Sequence, residues 1–364
     1  MKILTRYVLA EHIRPFLLGV AIFSFILLLD KVFVLSDLFI AKRVEASSIG
    51  LLFFYYLPAT LGVTVPMGTL MGVLMAWGRL SEDNEITAIT ASGLSLTPLI
   101  RISLCFGLFL SLATMIFNDT ILPRSNYAYR KLYRSIAQRD PFIGLEEGVF
   151  LHVDKREIYV DTVNQKKHTF SGIYIYEQGD PDRTIIARSG QWETGKDKSI
   201  ILRLKNGTIH QSDPQDPTKY HILKFDSQTI NLADLSKKLD TTDIPKGIRD
   251  MTAGEIQQRI KEYQEKKFNT DLLQVELHQK KSIPFACLAF SLIGVPLALM
   301  TRRGGRAIGF GLSLLLIFIY YLLLIGGGAL GKRGIIHPAV SVWLPNIFLG
   351  GIGIILMAQK IRGA

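Results

Sequence analysis

Cysteine is nearly missing from this chain: Cys105 and Cys287 are the two present in 364 residues, and both lie inside apolar runs. Without partner spacing, and with none in the polar middle, they supply neither a disulfide framework nor a zinc ligand set. Both read as small buried apolar side chains. Nucleotide and hydrolase signatures are missing as well. No Gly-x-x-x-x-Gly-Lys-Ser/Thr, Gly-x-Ser-x-Gly or His-Glu-x-x-His occurs, so the chain is not expected to bind ATP by a P-loop or to hydrolyse by those mechanisms. The glycines at 304–311 and 326–331 follow no predicted strand, which argues against a dinucleotide site. His152, His168, His210 and His221 fall on different predicted strands or loops and read as scattered surface histidines, with no metal site expected.

Charge is missing where an ion-driven carrier needs it. The long apolar segments hold no Asp, Glu or His at their centres; Asp30, Lys31, Asn118 and Asp119 sit at their expected ends, and Arg101 lies close enough to an edge to snorkel. Proton- or sodium-coupled transport is therefore disfavoured. The net charge of +11 does not indicate nucleic acid, because the basic residues flank apolar runs or mix with acids and form no stripe interleaved with aromatics.

What is present is hydrophobic length. About 20 mostly apolar residues cross ~30 Å of hydrocarbon, and six segments qualify: about 14–36, 50–77, 97–118, 282–300, 307–330 and 338–358. Lys2, Arg6 and Arg14 precede the first, but Leu29-Asp30-Lys31 offers no small-residue cleavage site, so it reads as a retained helix. Residues 1–14, with Ile3, Leu4, Tyr7 and Val8 on one face, read as an interfacial helix. The second segment carries Pro58, Pro66 and Gly68-x-x-x-Gly72, which permits close helix packing. Lys and Arg in the short loops favour cytoplasmic N- and C-termini. Residues 119–281 would then face the other side of the membrane.

That middle region splits in two. From Gly148 to Asp234, alternating apolar stretches (Val149-Leu151-Val153, Ile158-Val160, Ile173-Ile175, Ile200-Leu202-Leu204 and Ile222 to Phe225) are separated by turn formers at Gly179-Asp180-Pro181, Lys205-Asn206-Gly207 and Asp213-Pro214. Such patterning predicts a β-sandwich or open jelly roll. Thr252-x-x-Glu255 then opens a helix as a capping box, with Ile256, Ile260 and Tyr263 on one face. The expected organisation is 1–118 for the first three membrane helices, 119–250 for the β domain, 251–281 for a helical connector and 282–364 for the last three membrane helices.

One loop stands apart. Between the second and third segments, Ser81-Glu82-Asp83-Asn84-Glu85 is acidic where a cytoplasmic loop is usually basic. Ser81 as a cap, acids in the first turn, Ile86 and Ile89 at helical spacing and Gly93 as a stop predict a short helix over about 80–92. It reads either as a solvated loop helix or as one that docks a soluble partner through Glu85, whose charge suits a basic pocket.

The chain resembles the lipopolysaccharide-export permease family of the LptF/LptG type. The matching pieces are Gly78-Arg79-Leu80-Ser81, Glu85-Ile86-Thr87-Ala88, Ala91-Ser92-Gly93 and Glu276-Leu277-His278 before Pro284. Further on come Gly294-Val295-Pro296-Leu297, Arg302-Arg303-Gly304-Gly305-Arg306, Gly309-Phe310-Gly311, Tyr320-Tyr321 and Trp343-Leu344-Pro345-Asn346. The resemblance implies an α-helical membrane protein of six transmembrane helices (3+3) with an inserted periplasmic all-β jelly-roll domain in the bacterial inner membrane. It implies a second six-helix permease paralogue, a cytoplasmic ATPase dimer that binds the ATP (no cofactor in this chain), a single-helix periplasmic partner, a periplasmic bridge protein, and lipopolysaccharide as substrate. The loop helix corresponds to the family's coupling helix, with Glu85 as its acidic contact to the ATPase and Ser81, Ile86 and Ile89 beside it. Lys31 matches the family's lipid-phosphate position on the first helix; Lys42, Arg43 and Arg134, with Arg139, are further candidates. Arg6-Tyr7-Val8, the Ser81/Glu85-Ile86-Thr87 loop and the Gly-Gly-Arg after the fourth helix lean toward the LptF side. The alternative is an ATPase-coupled mechanotransmission or scaffold protein that carries no lipid.

Overall fold

Long runs of aliphatic residues satisfy their own backbone hydrogen bonds only as helices when water is absent, and the computed structural model places a helix over every such run. It describes residues 2–40, 44–139, 151–153, 156–164, 169–179, 182–194, 200–212, 220–231, 246–301 and 305–362. The helices are α1 (Lys2–Ile40), α2 (Ala46–Glu82), the short α3 (Glu85–Ala91), α4 (Thr97–Arg139), α5 (Ala253–Glu265), α6 (Asp271–Met300), α7 (Gly305–Lys332) and α8 (Pro338–Arg362). Among the described residues six of them (α1, α2, α4, α6, α7, α8) are long and apolar enough to cross a membrane. Six strands, β1 (Leu151–Val153), β2 (Arg156–Asn164), β3 (Thr169–Glu177), β4 (Arg183–Thr194), β5 (Ile200–Ser212) and β6 (Tyr220–Asn231), lie between the third and fourth of these helices. The chain is a helical membrane protein with an inserted β domain.

Several boundaries differ from the hydropathy reading. The N-terminal segment from Lys2 is continuous with α1, which carries Pro15 inside the helix, so residues 2–14 do not form a separate element. Asp30 and Lys31 lie within α1, and Asn118 and Asp119 lie within α4, which runs to Arg139. Hydropathy marks where the apolar stretch stops, whereas a helix continues through any polar stretch of good helix formers.

The chain divides into two compact units: Met1–Phe33 with Phe53–Ala128 and Lys246–Ala364, and Val34–Leu52 with Tyr129–Pro245. Within the first unit α2 and α6 are the most enclosed of the spanning helices, while α1 and α7 leave most of their apolar surface uncovered. Trp77, Leu70 and Leu74 of α2, Phe290 of α6 and Tyr320 of α7 are fully buried in one cluster. Gly68 and Gly72 let α1 and α2 meet: a Cβ at Gly68 would lie 3.0 Å from the Phe16 carbonyl oxygen, and one at Gly72 3.2 Å from that of His12. Asn346 ties α8 to α6 by donating to the Ser282 carbonyl (2.7 Å) and hydroxyl (2.9 Å), while Ser282 donates to the Val342 carbonyl (2.6 Å). Tyr321 donates to the Val63 carbonyl at 3.1 Å. Two motif residues, Asn346 and Tyr321, are thus cross-links within the bundle.

The Thr252–Glu255 capping box forms as expected, Thr252 accepting from the Glu255 amide at 3.2 Å and Glu255 from the Thr252 amide at 2.8 Å. Ile256 and Ile260 are buried against Leu273 and Leu277. Asp119 of α4 accepts from the Ala253 amide at 2.6 Å, so the α5 N-terminus is capped from two sides. A hydrogen bond from Lys246, with that of the Thr252 amide, holds the Glu255 carboxyl below the usual carboxylate range.

The second unit holds the sheet. Its described strands pair antiparallel in sequence order β1-β2-β3-β4-β5-β6. Short connections favour pairing between sequential neighbours. A crease runs across the sheet. Along β3 the inward side switches parity, with Phe170 and Ile173 both buried, and along β4 Ala187 and Gly190 do the same. Positive φ at Gly172 (62°) and Asn206 (54°) marks the line on β3 and β5. Ile158, Ile173, Ile185 and Ala187 from one side of the line share a cluster with Phe170, Trp192, Leu202 and Leu204 from the other. The expected turn at Lys205-Asn206-Gly207 is therefore this crease inside β5, and β4, whose alternation the parity switch breaks, is a strand the pattern did not reveal. Burial alone would push the Glu177 carboxyl up, but hydrogen bonds from Arg183 and Arg156 outweigh it and hold it below its usual range.

Candidate functional site

The acidic loop after α2 folds back on the end of that helix and on the start of α1. Ser81, expected to cap the loop helix, instead lies in the last turn of α2; the cap of α3 is Asn84, in the left-handed region at φ 58° and with no side-chain hydrogen bond. Asn tolerates that conformation better than Ser, whose side chain prefers an extended backbone at a cap. α3 has seven residues, too few to hold a helix on propensity alone. Ile86 is buried and Ile89 partly buried against the main bundle cluster, so these two of the expected docking residues face inward and anchor α3. Thr87, Ala88, Thr90 and Ala91 are exposed.

Arg79 organises the polar side of the corner. Its guanidinium pairs with Glu11 of α1 at 2.9 Å, Asp83 at 3.4 Å and Glu85 at 3.3 Å. It also donates to the Tyr7 hydroxyl and lies 5.6 Å from the centroid of the Tyr7 ring. Tyr7 in turn donates to the two Glu85 oxygens at 2.7 and 3.0 Å. Three carboxylates thus meet one guanidinium, and the group carries an excess of negative charge.

One turn further along α1 a buried chain of hydrogen bonds joins three helices. His12 Nδ1 lies 2.7 Å from the Val8 carbonyl and must carry the proton there, because a carbonyl only accepts. Nε2 of the neutral ring then accepts from Ser103 of α4 at 2.9 Å, and Ser103 accepts from Trp77 Nε1 of α2 at 2.8 Å. His12 and Trp77 are both fully buried. The sequence reading missed Tyr7, Glu11 and Arg79 as the residues that gather at Glu85 and Asp83, and His12 as the partner of Ser103. The i, i+4 spacing of Tyr7 and Glu11, with His12 beside them, would have flagged a polar face on the first turns of α1.

The expected lipid contacts are more dispersed. Lys31 lies on α1, pairs with Asp30 at 3.0 Å and sits 5.6 Å from the centroid of the Tyr56 ring on α2. Arg134 lies on α4 and is half-buried. Arg139 is the last residue of α4. Lys42 and Arg43 fall outside the described residues. Among the described residues no three His, Cys, Asp or Glu side chains are gathered as a metal site.

A family model described as lipopolysaccharide export system permease LptF/LptG matches residues 6–359. The chain is 20% identical over 361 residues to the lipopolysaccharide export system permease protein LptF of Escherichia coli (strain K12), an alignment covering 97% of this chain and 94% of that protein. The LptF protein of Shigella flexneri matches to the same extent.

Proposed function

The chain belongs to the lipopolysaccharide export system permease LptF/LptG family, and from that premise we propose that it is the LptF-side transmembrane subunit of an ATP-driven lipopolysaccharide exporter. In this reading it hydrolyses nothing itself. A cytoplasmic ATPase dimer docks at α3, a second six-helix permease covers the uncovered faces of α1 and α7, and the two permeases enclose the lipid between them. The chain sits in the inner membrane with both termini cytoplasmic and its β domain periplasmic, where a single-helix partner and a bridge protein receive the lipid. Lys31, Lys42, Arg43 and Arg134 meet lipid phosphates near the outer interface, where a cation pairs an anion without deep burial.

The observation that carries the reading is the corner of Arg79, Glu11, Asp83 and Glu85. Three acids on one cation leave charge that a basic pocket neutralises, and one of them, Glu85, stands on a short helix keyed by Ile86 into the bundle. ATP-driven closure of the partner would push α3, and the bundle would carry that push to the lipid. The test is a gentle detergent pull-down from native membranes with protein and lipid mass spectrometry on one eluate. An ATPase, a second permease and bound lipopolysaccharide are expected. An ATPase without lipid would replace this reading with a mechanotransmission protein, and a Glu85→Lys chain that still assembles and exports would refute docking through Glu85.

A further inference from the structure

We infer that Tyr7 is a positioning residue that fixes Glu85 and carries the displacement of α3 directly into α1; this rests on the reading above. Its hydroxyl has one proton, given to Glu85, and it accepts the Arg79 N–H, so both of its roles are occupied and its direction is set. Without that hydroxyl, Glu85 keeps Arg79 at 3.3 Å, and Arg79 is shared with Glu11 and Asp83. A seven-residue helix whose cap makes no side-chain hydrogen bond then has only that shared guanidinium, with Ile86 and Ile89, to hold its carboxylate in place. The bond also spans the chain: Tyr7 and Glu85 are 78 positions apart, and they join the loop helix to the helix that leaves most of its apolar surface uncovered. Glu11 on Arg79 and His12 on Ser103 key the next turn of α1 to α2 and α4. A push on α3 therefore reaches α1 at its base and does not have to cross the bundle core.

Tyr7→Phe keeps the ring beneath the guanidinium and removes the hydroxyl alone. In the complex with its ATPase and second permease, reconstituted in vesicles, the variant is expected to retain the ATPase while lipopolysaccharide released per ATP hydrolysed falls about ten-fold, the scale of one hydrogen bond to a charged group at a half-exposed site. In a Glu85→Gln background the same change is expected to add nothing, since both act through one contact. Hydrogen exchange on the full chain supplies a readout that needs no partner: amides 85–91 should exchange faster in Tyr7→Phe than in the parent. Unaltered exchange there overturns the inference. Losses that multiply in the double variant, or assembly, hydrolysis and export falling in proportion, also overturn it, because a merely structural Tyr7 gives those results. A parent complex that holds no ATPase refutes the reading of the previous subsection and takes the transmission claim with it, an outcome visible before any variant is made.

Discussion

Ser103→Ala is the sharpest test of how the base of α1 is held. The hydroxyl donates to His12 Nε2 at 2.9 Å and accepts from Trp77 Nε1 at 2.8 Å, and all three residues are fully buried. Deleting one oxygen therefore strands one acceptor and one donor in a buried place. Hydrogen bonds inside membranes average about 0.6 kcal/mol and reach about 1.7 kcal/mol, because the unfolded chain also finds partners in the bilayer. Two stranded groups then put the loss at about 1 to 3.5 kcal/mol. The assay is SDS-driven unfolding in mixed micelles followed by far-UV circular dichroism, which does not depend on Trp77 emission. A second substitution makes the logic specific. Trp77→Phe in the Ser103→Ala background removes the stranded N–H, so the double variant should be less destabilised than the two single losses added together. Strict additivity, or a Ser103→Ala loss below about 0.5 kcal/mol, would show that the chain of hydrogen bonds contributes nothing and that close packing alone holds α1.

Gly68→Ala should push α1 from α2, since its Cβ would lie 3.0 Å from the Phe16 carbonyl oxygen and 3.0 Å from the Val20 amide nitrogen, both backbone atoms. The expected loss is about 1–3 kcal/mol by the same unfolding assay, and a neutral result would place the helix contact elsewhere. Glu255 is held below its usual pKa by Lys246 and the Thr252 amide, so its contribution is present above the unfolded carboxylate pKa and lost as pH falls through the folded value. The side chain is 39% exposed, so screening limits that contribution to below about 1 kcal/mol. Protection of the α5 amides, taken relative to the intrinsic exchange rate at each pH, should fall on acidification in the parent and stay level in Glu255→Gln. Lys31→Asp should lower lipopolysaccharide recovered with the purified complex without altering the subunits recovered; unchanged lipid would remove Lys31 from the path.

Much of the architecture is a local property and was readable as such. Whether a segment can cross hydrocarbon depends on its own length and polarity, and all six spanning helices were legible from their runs. The Thr252–Glu255 box was legible too, because a cap and its partner lie three residues apart. Ile86 and Ile89 announced an amphipathic α3 by spacing, although not that they face the bundle. The β strands were legible where alternation is regular and lost where the crease reverses it, which is why β4 escaped and Asn206 read as a turn.

The candidate site belongs to the other class. Composition placed an acidic loop at residues 81–85 and resemblance assigned it a partner, yet no local pattern pairs Glu85 with Tyr7 or Trp77 with Ser103 and His12. Those pairings exist because close helix packing brings α1 against α2 at Gly68 and Gly72 and folds α3 back beneath them. The sequence by itself determined which segments enter the membrane, where the β domain is inserted and that the loop is acidic, since each follows from neighbours along the chain. Only the tertiary structure decided which side chains share Arg79, because a hydrogen bond between residues far apart in sequence is set by how helices pack.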